Sequence, residues 1–366
     1  MPPPPRPHKR PAHGFLPEEQ ADLKSGPSDQ NDEDDDVSSD WDEYGQVPEA
    51  REDYDRKVTM LEGAETWNAE QSKVHKLIYM RGIHPMISSS WRHSYKMWGV
   101  TQPHLDDVFT PPLSRKRVVI SANNTAANRN EADATKALEN LFYLSQTVSD
   151  YEELGQKDKI GPTVVKAISA YIRWALRDVE VDKRLPPTMM VHAYPKDFAA
   201  SPEAVEDKNQ TQDRGVEDVA VAGSSDDDLE GLDGFADLDA EGKKAVRLFQ
   251  AAVSQHLERK MRAMARAWRQ LLRHKNARDA APTLYGFAVT QHMVLVVSHD
   301  ANRIKNPVVC LEQITLNERG LWLWNAMSIA IPVNVAKKAV HRLFKSLEQQ
   351  QLLPEPESGE EEDPDK

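Results

Sequence analysis

Two stretches of this chain cannot build a core, and they dictate where a fold can form. Residues 1–60 pass from a proline run into "SDQNDEDDDVSSDWDEYG", and residues 199–242 end in "SSDDDLEGLDGFADLDAEG". Both are dense in acids and poor in large apolar side chains. They repel themselves and bury too little to offset the entropy of ordering, so both are expected to be disordered. Residues 351–366 form a third acidic tail. Folding is left to residues 68–198 and 243–350, and the net charge of −13 belongs mostly to the segments outside them.

Within the foldable blocks the apolar spacing names the elements. "AEQSKVHKLIYMRGIHP" reads as a helix ended by Gly82 and Pro85. "MISSSWRHSYKMWGV" reads as a short irregular segment. "DVFTPPLSRKRVVISANN" reads as a proline loop and a short strand, Val118 to Ser121. "NEADATKALENLFYLSQTVSDYEE" places Ala134, Leu138, Leu141 and Val148 on one face of a single amphipathic helix. "GPTVVKAISAYIRWALRDVEV" is another helix, with Pro162 in its first turn and a stripe of Val165, Ile168, Ile172, Ala175 and Val179. "TMMVHAY" is a strand. After the acidic insert comes a long helix, "KKAVRLFQAAVSQHLERKMRAMARAWRQLLRHK". Two strands around Gln291-His292 follow, then a third in "NPVVCLEQITL" and a last helix reaching about residue 350. The order predicts an α+β fold: a helix-rich mixed domain with a small β-sheet, interrupted by the disordered insert and flanked by disordered acidic termini.

Several classes of activity find no footing. Cys310 is the single cysteine, so no internal disulfide can form, and a buried thiol is expected in its apolar run. No apolar run is long enough to span a membrane, and the N-terminus carries no signal core. Histidines stand singly and no ligand spacing repeats, so neither a metal nor a cofactor is expected. Phosphate-cradling glycine loops and a serine nucleophile elbow are missing. "RDVEVDKRLP" gathers Asp178, Glu180, Asp182 and Lys183 at a helix end, in an order like that of restriction-type nucleases. The spacing departs from that pattern, and a solvated helix terminus accounts for these residues.

The sharpest local signal is an arginine stripe. Arg259, Arg262, Arg266, Arg269 and Arg273 are spaced three and four apart, so they line one face of the long helix. Met264, Trp268 and Leu271 follow an apolar stripe roughly opposite. Between Gly242 and Arg278 the only acid is Glu258. A one-sign face suits phosphates or a carboxylate-rich partner. It could equally be an ordinary wet face, or be neutralised by the chain's own acidic insert upstream. Two short basic clusters, with Arg6, Lys9 and Arg10 in one and Arg115, Lys116 and Arg117 in the other, suit nuclear import.

"LNERGLWLWNAMSIAIP" raises a separate question. Asn317 is a good helix cap and Glu318 suits the first turn. Leu321, Trp324, Ser328 and Ile331 follow helical spacing, with a kink expected at Pro332. Capping does not explain Arg319, a cation near the positive end of a helix, so helix punctuation and a contribution to a site both stay open.

"MRGIHPMISSSWR", "DATKALENLFYLSQTV", "ISAYIRWALRDVE", "PTLYGFAVTQHMVLVVSHD" and "ERGLWLWNAMSIAI" together resemble the filamentous-fungal family of hypoxia-responsive morphology and biofilm-architecture factors. The resemblance spans roughly residues 75–198 and 243–348. It implies a nuclear regulatory protein that influences gene expression, colony morphology, biofilm architecture, virulence and growth at low oxygen. It also implies a domain like RNA 3′-terminal phosphate cyclase, with Glu318 and Arg319 standing where that family has an Asp-Arg pair. The leading expectation is therefore a nuclear regulator that binds RNA, DNA or nuclear proteins through the arginine stripe, without a membrane. The alternative is an enzyme acting on RNA 3′ ends or nucleic-acid phosphates through Glu318 and Arg319.

Overall fold

The two-residue turn predicted at Gln291-His292 organises the sheet. Gln291 sits at φ 55°, a left-handed conformation that costs a non-glycine residue about 1–2 kcal/mol. It joins β2 (Thr283–Thr290) to β3 (Met293–Asp300) in an antiparallel register from Thr283 opposite Asp300 to Thr290 opposite Met293. β4 (Val309–Thr315) adds antiparallel to β3, with a bulge between Val296 and Val297. β1 (Met189–Ala193) lies parallel to β2 on the other side, so the order is β1-β2-β3-β4.

The structure, a computed structural model, describes residues 48–61, 63–97, 102–111, 118–123, 129–182, 184–196, 198, 240–273 and 281–349. Contacts divide the chain into Met1–Arg51 and Glu52–Lys366. The sheet and the helices that pack on it belong to the second unit.

The described helices are α1 (Pro48–Thr59), α2 (Ala69–Met80), α3 (Arg92–Met97), α4 (Gln102–Val108), α5 (Arg129–Phe142), α6 (Leu144–Glu153), α7 (Ile160–Asp178), α8 (Ala240–Arg273) and α9 (Trp322–Gln349). A parallel pair of neighbouring strands needs a crossover, and α8 supplies it between β1 and β2. The acidic insert of residues 199–239 thus belongs to the β1–α8 connection.

The sheet's two faces meet different partners. Leu284, Gly286, Ala288 and Val297 face α8. A Cβ on Gly286 would come 2.8 Å from Val297 Cγ2 and 3.4 Å from Met261 Sδ, so this glycine lets the helix sit close. Met261, Ala265, Trp268 and Leu272 of α8 are wholly buried against this side. Tyr285 and Ser298 face the opposite way, where Gln71 Nε2 of α2 donates to Ser298 Oγ at 3.0 Å. α2 begins with the capping box that "NAEQ" encodes, Asn68 and Gln71 exchanging side-chain and backbone bonds. α9 packs among α2, α5, α6 and α7, which explains why residues 325–337 are buried all round.

The architecture is the expected α+β one, a helix-rich domain with a small mixed sheet. Details differ. Pro48–Thr59, inside the expected N-terminal tail, form α1, because Tyr54 buries itself against His75 and Tyr79 while Asp53 gathers Arg56, Lys57 and Tyr79. The expected strand Val118 to Ser121 reduces to a single bridge between Ile120 and Ile87. The long helix over residues 130–153 is two, broken at Tyr143, although Ala134, Leu138, Leu141 and Val148 are all buried as the spacing requires. "SSWRHSYKM" is regular, a 3-10 turn followed by α3. α9 continues through Pro332. Cys310 is exposed, because it lies on the edge strand β4 and on the face that α8 leaves open.

Candidate functional site

α8 carries its arginines on a flank of a helix whose opposite stripe is sealed against the sheet. Arg266 and Arg273 are exposed, and Arg259, Arg262 and Arg269 are half-buried. The structure therefore gathers all five predicted residues on one side of one element. The two flanks of α8 differ. On one, His256 Nδ1 pairs with the hydroxyl of Tyr194, just beyond β1, at 2.9 Å. The arginines occupy the other, where Arg262 lies on the side of β3. His299 of β3 reports this, since burial first and the Arg262 cation second hold its imidazole below the ordinary range, against opposing effects of the Pro307 carbonyl and Asp300.

Acid is scarce there. α8 holds nine lysines and arginines against two glutamates, Glu241 and Glu258. Glu258 is already taken by Arg262, one turn on, at 2.5 Å. Such a flank holds positive potential that is not cancelled along its own helix.

Glu318 and Arg319 sit elsewhere. Arg319 opens a 3-10 turn before α9 and donates from Nη2 to Asp150 Oδ1 at 2.7 Å and Glu153 Oε1 at 2.8 Å. Asn317 does not cap the helix as expected. Its Nδ2 donates to Glu152 Oε2 at 2.9 Å, and its carbonyl accepts from Ser149 Oγ at 2.7 Å. Glu152 also meets His292 Nδ1 at 2.6 Å. Glu318 is exposed and makes no side-chain cap bond. The acidic last turn of α6 thus clasps both the β2–β3 turn and the approach to α9. This answers why a cation stands at the start of α9: it serves the negative end of a neighbouring helix. Arg319 is placed by its docking on the end of α6, and Glu318 stands exposed next to it.

Spacing alone does not reveal a buried ion pair in the core. Lys337 of α9 and Asp178 of α7 form an ion pair at 2.9 Å, with side chains 3% and 0% exposed. Lys337 Nζ also donates to the Ser121 carbonyl at 2.5 Å and lies 4.9 Å from the centre of the Trp174 ring. Asp178 Oδ2 accepts the backbone N–H of Asn123 at 2.8 Å. The sequence suggests a solvated helix end for Asp178. It is buried instead, at the negative end of α7, where only a cation and an N–H make a carboxylate tolerable. Burial lowers the Lys337 pKa and Asp178 raises it, with burial the larger influence. Next to this pair Asn334 Nδ2 donates to Tyr171 Oη at 2.8 Å. Asn334, Lys337 and His341 recur at three and four residues within "PVNVAKKAVHRL". Polar groups at helical spacing inside an otherwise apolar helix are the signal that could have found them.

Lys183 and the import-type residues Arg6, Lys9, Arg10, Arg115, Lys116 and Arg117 lie outside the described residues. So does the acidic insert as far as residue 239, the candidate partner of the arginine helix, while residues 240–242 of it open α8. No described helix is long and apolar enough to cross a membrane. Among the described residues, no three His, Cys, Asp or Glu side chains are grouped to hold a metal ion. No protein-family model, no curated protein and no solved structure matches the chain.

Proposed function

We propose that this is a nuclear regulatory protein that works by binding nucleic acid through the arginine flank of α8. One observation carries the reading: a helix sealed to the sheet on one side presents Arg266, Arg269 and Arg273 on the other, and its nearest acid is already paired. Counterions condensed on a phosphate backbone are released when such a flank binds, and that release drives association without reading sequence. The basic clusters at residues 6–10 and 114–117 support entry to the nucleus. The family resemblance supports regulation of fungal morphology, biofilm form and low-oxygen growth as the biological setting.

The test is a salt titration of the full chain on a nucleic-acid oligomer. Affinity should fall steeply with salt. Arg266→Ala, Arg269→Ala and Arg273→Ala together should weaken binding and flatten the slope by about 0.7 for each single-strand phosphate no longer neutralised. An unchanged affinity and slope would remove the arginine flank from the reading.

A further inference from the structure

His299 stands where an apolar side chain would fill the interface at lower cost. It is wholly buried. In the β2–β3 register it lies opposite Leu284, on the face that packs against Met261 and Ala265 of α8. Neither ring nitrogen has a hydrogen-bond partner of ordinary geometry, although the Pro307 carbonyl is near enough to favour the charged ring. An unpartnered polar group in a core is costly, so its presence needs a reason. Leucine or methionine would seal the same face without that cost.

The groups around the ring make it sensitive to charge. α8 brings Arg262 and its partner Glu258, with Arg266 and Arg269 further along the same flank. β3 brings Asp300, and the β3–β4 connection brings Arg303 and Lys305, both exposed. On this face β2 adds Leu284 and β4 the thiol of Cys310, while the α9 residues of the surrounding cluster, Val340 and Leu347, are apolar. Burial and Arg262 keep the ring neutral, and the Pro307 carbonyl and Asp300 pull the other way. Glu258 engages Nη2 of Arg262, while Arg262 Nε is buried without an acceptor. How strongly the ring is held neutral therefore depends on how much of the Arg262 charge is balanced from outside.

We infer that His299 links proton uptake to anion binding on the arginine flank: a phosphate at Arg262 lets the imidazole beneath it take a proton, and the protonated imidazole in turn tightens the hold on the phosphate. The inference rests on the nucleic-acid reading above and adds how that contact is regulated. The proton comes from solvent, binds a ring nitrogen and gains the Pro307 carbonyl as its neighbour. No contact between His299 and the ligand is required, because charges interact strongly across a dry interface. The coupling is reciprocal by thermodynamic necessity, so acid should favour binding to the same degree that binding favours protonation. Arg266, Arg269 and Arg273 carry the rest of the phosphate contact, so binding itself does not depend on the proton.

The full-length protein is titrated with oligouridylate, whose diesters stay ionised and whose bases stay neutral at weakly acid to neutral pH. Calorimetry at about pH 6.5, in two buffers of equal ionic strength and different ionisation enthalpy, reads the protons taken up on binding. The wild type should take up a measurable part of a proton per complex. Its affinity should rise at least about fivefold from about pH 7.5 to about pH 6, and the His299 midpoint followed by NMR should move up on saturation. Arg262→Ala should still bind through the remaining arginines, with the uptake lost and the His299 midpoint blind to ligand. His299→Gln should bind with a flatter pH profile. If that variant does not fold, the half-buried Arg262 position decides the question. Binding without proton uptake and with an unchanged midpoint would overturn the inference while leaving the arginine flank standing. So would uptake of equal size in Arg262→Ala. Failure of oligouridylate to bind at any pH would remove the flank itself as a nucleic-acid contact, and the inference with it.

Discussion

α8 and α9 are both long helices rich in lysine and arginine, and they use those charges in opposite ways. α8 meets protein on one stripe, so its cations collect on a wet flank. α9 is surrounded, so the one cation on its inward face, Lys337, is held by a carboxylate, a carbonyl and an aromatic ring. The difference lies in how many neighbours a helix has. A cation at the rim of a single packed stripe stays solvated and available to a ligand. A cation inside a bundle must be paired or it would not be there.

The sharpest way to break this comparison is at Lys337. Lys337→Met strands Asp178 without a cation and should cost about 3–5 kcal/mol of folding stability by denaturant unfolding. Pairing it with Asp178→Leu should recover most of that deficit. If the single variant were as stable as wild type, the pair would not be the structural clasp described. Gly286→Ala is next, because its new methyl meets Val297 and Met261 under α8. It should cost about 1–3 kcal/mol and loosen the seat of the arginine helix.

A pH series adds a charge test. His299 is held low in the folded state, so between neutral and acid pH the unfolded chain takes up a proton that the folded chain refuses. Its contribution is fully present above about pH 6.5 and is lost as pH falls. His75 and His341 shift in the same direction. Glu70 and Glu312, raised by burial, act oppositely, losing stability as pH rises from the ordinary carboxylate range. A His299→Gln variant should show a flatter stability curve from pH 7 downward, and Arg262→Ala should raise the His299 titration midpoint measured by NMR.

Smaller effects belong to the surface. Arg319→Ala removes two exposed ion pairs and should change stability by no more than about 1 kcal/mol. The Arg266, Arg269 and Arg273 alanine variants should each stay within about 0.5 kcal/mol, their cost appearing in binding instead. A large drop in stability there would mean that α8, like α9, uses its cations to hold the fold.

The apolar periodicity of α2, α7, α8 and α9 made those helices legible, and Gln291-His292 marked the hairpin, because these are local signals with a repeat. α1 was hidden by its charge: "EDYDRKVT" looks like a tail until Tyr54 finds α2. The Val118 to Ser121 segment has a strand's composition, yet its bonding is settled by Met86 and Ile87, far away in sequence. The arginine flank could be read directly from its spacing. Asp178 could not, since nothing within ten residues of it carries the lysine that makes its burial possible.

By itself, the sequence determined the α+β class and the single-signed face of α8, because composition and spacing act over a few residues at a time. Tertiary structure decided what each charge is for. It paired Arg319 with the end of α6 and drew Asp178 and Lys337 into the core. It also left the arginines of α8 on the flank away from the sealed stripe, with Arg262 near enough to His299 to act on it. Those outcomes depend on which elements become neighbours, and the interaction of two charges is fixed by distance and by the water left between them.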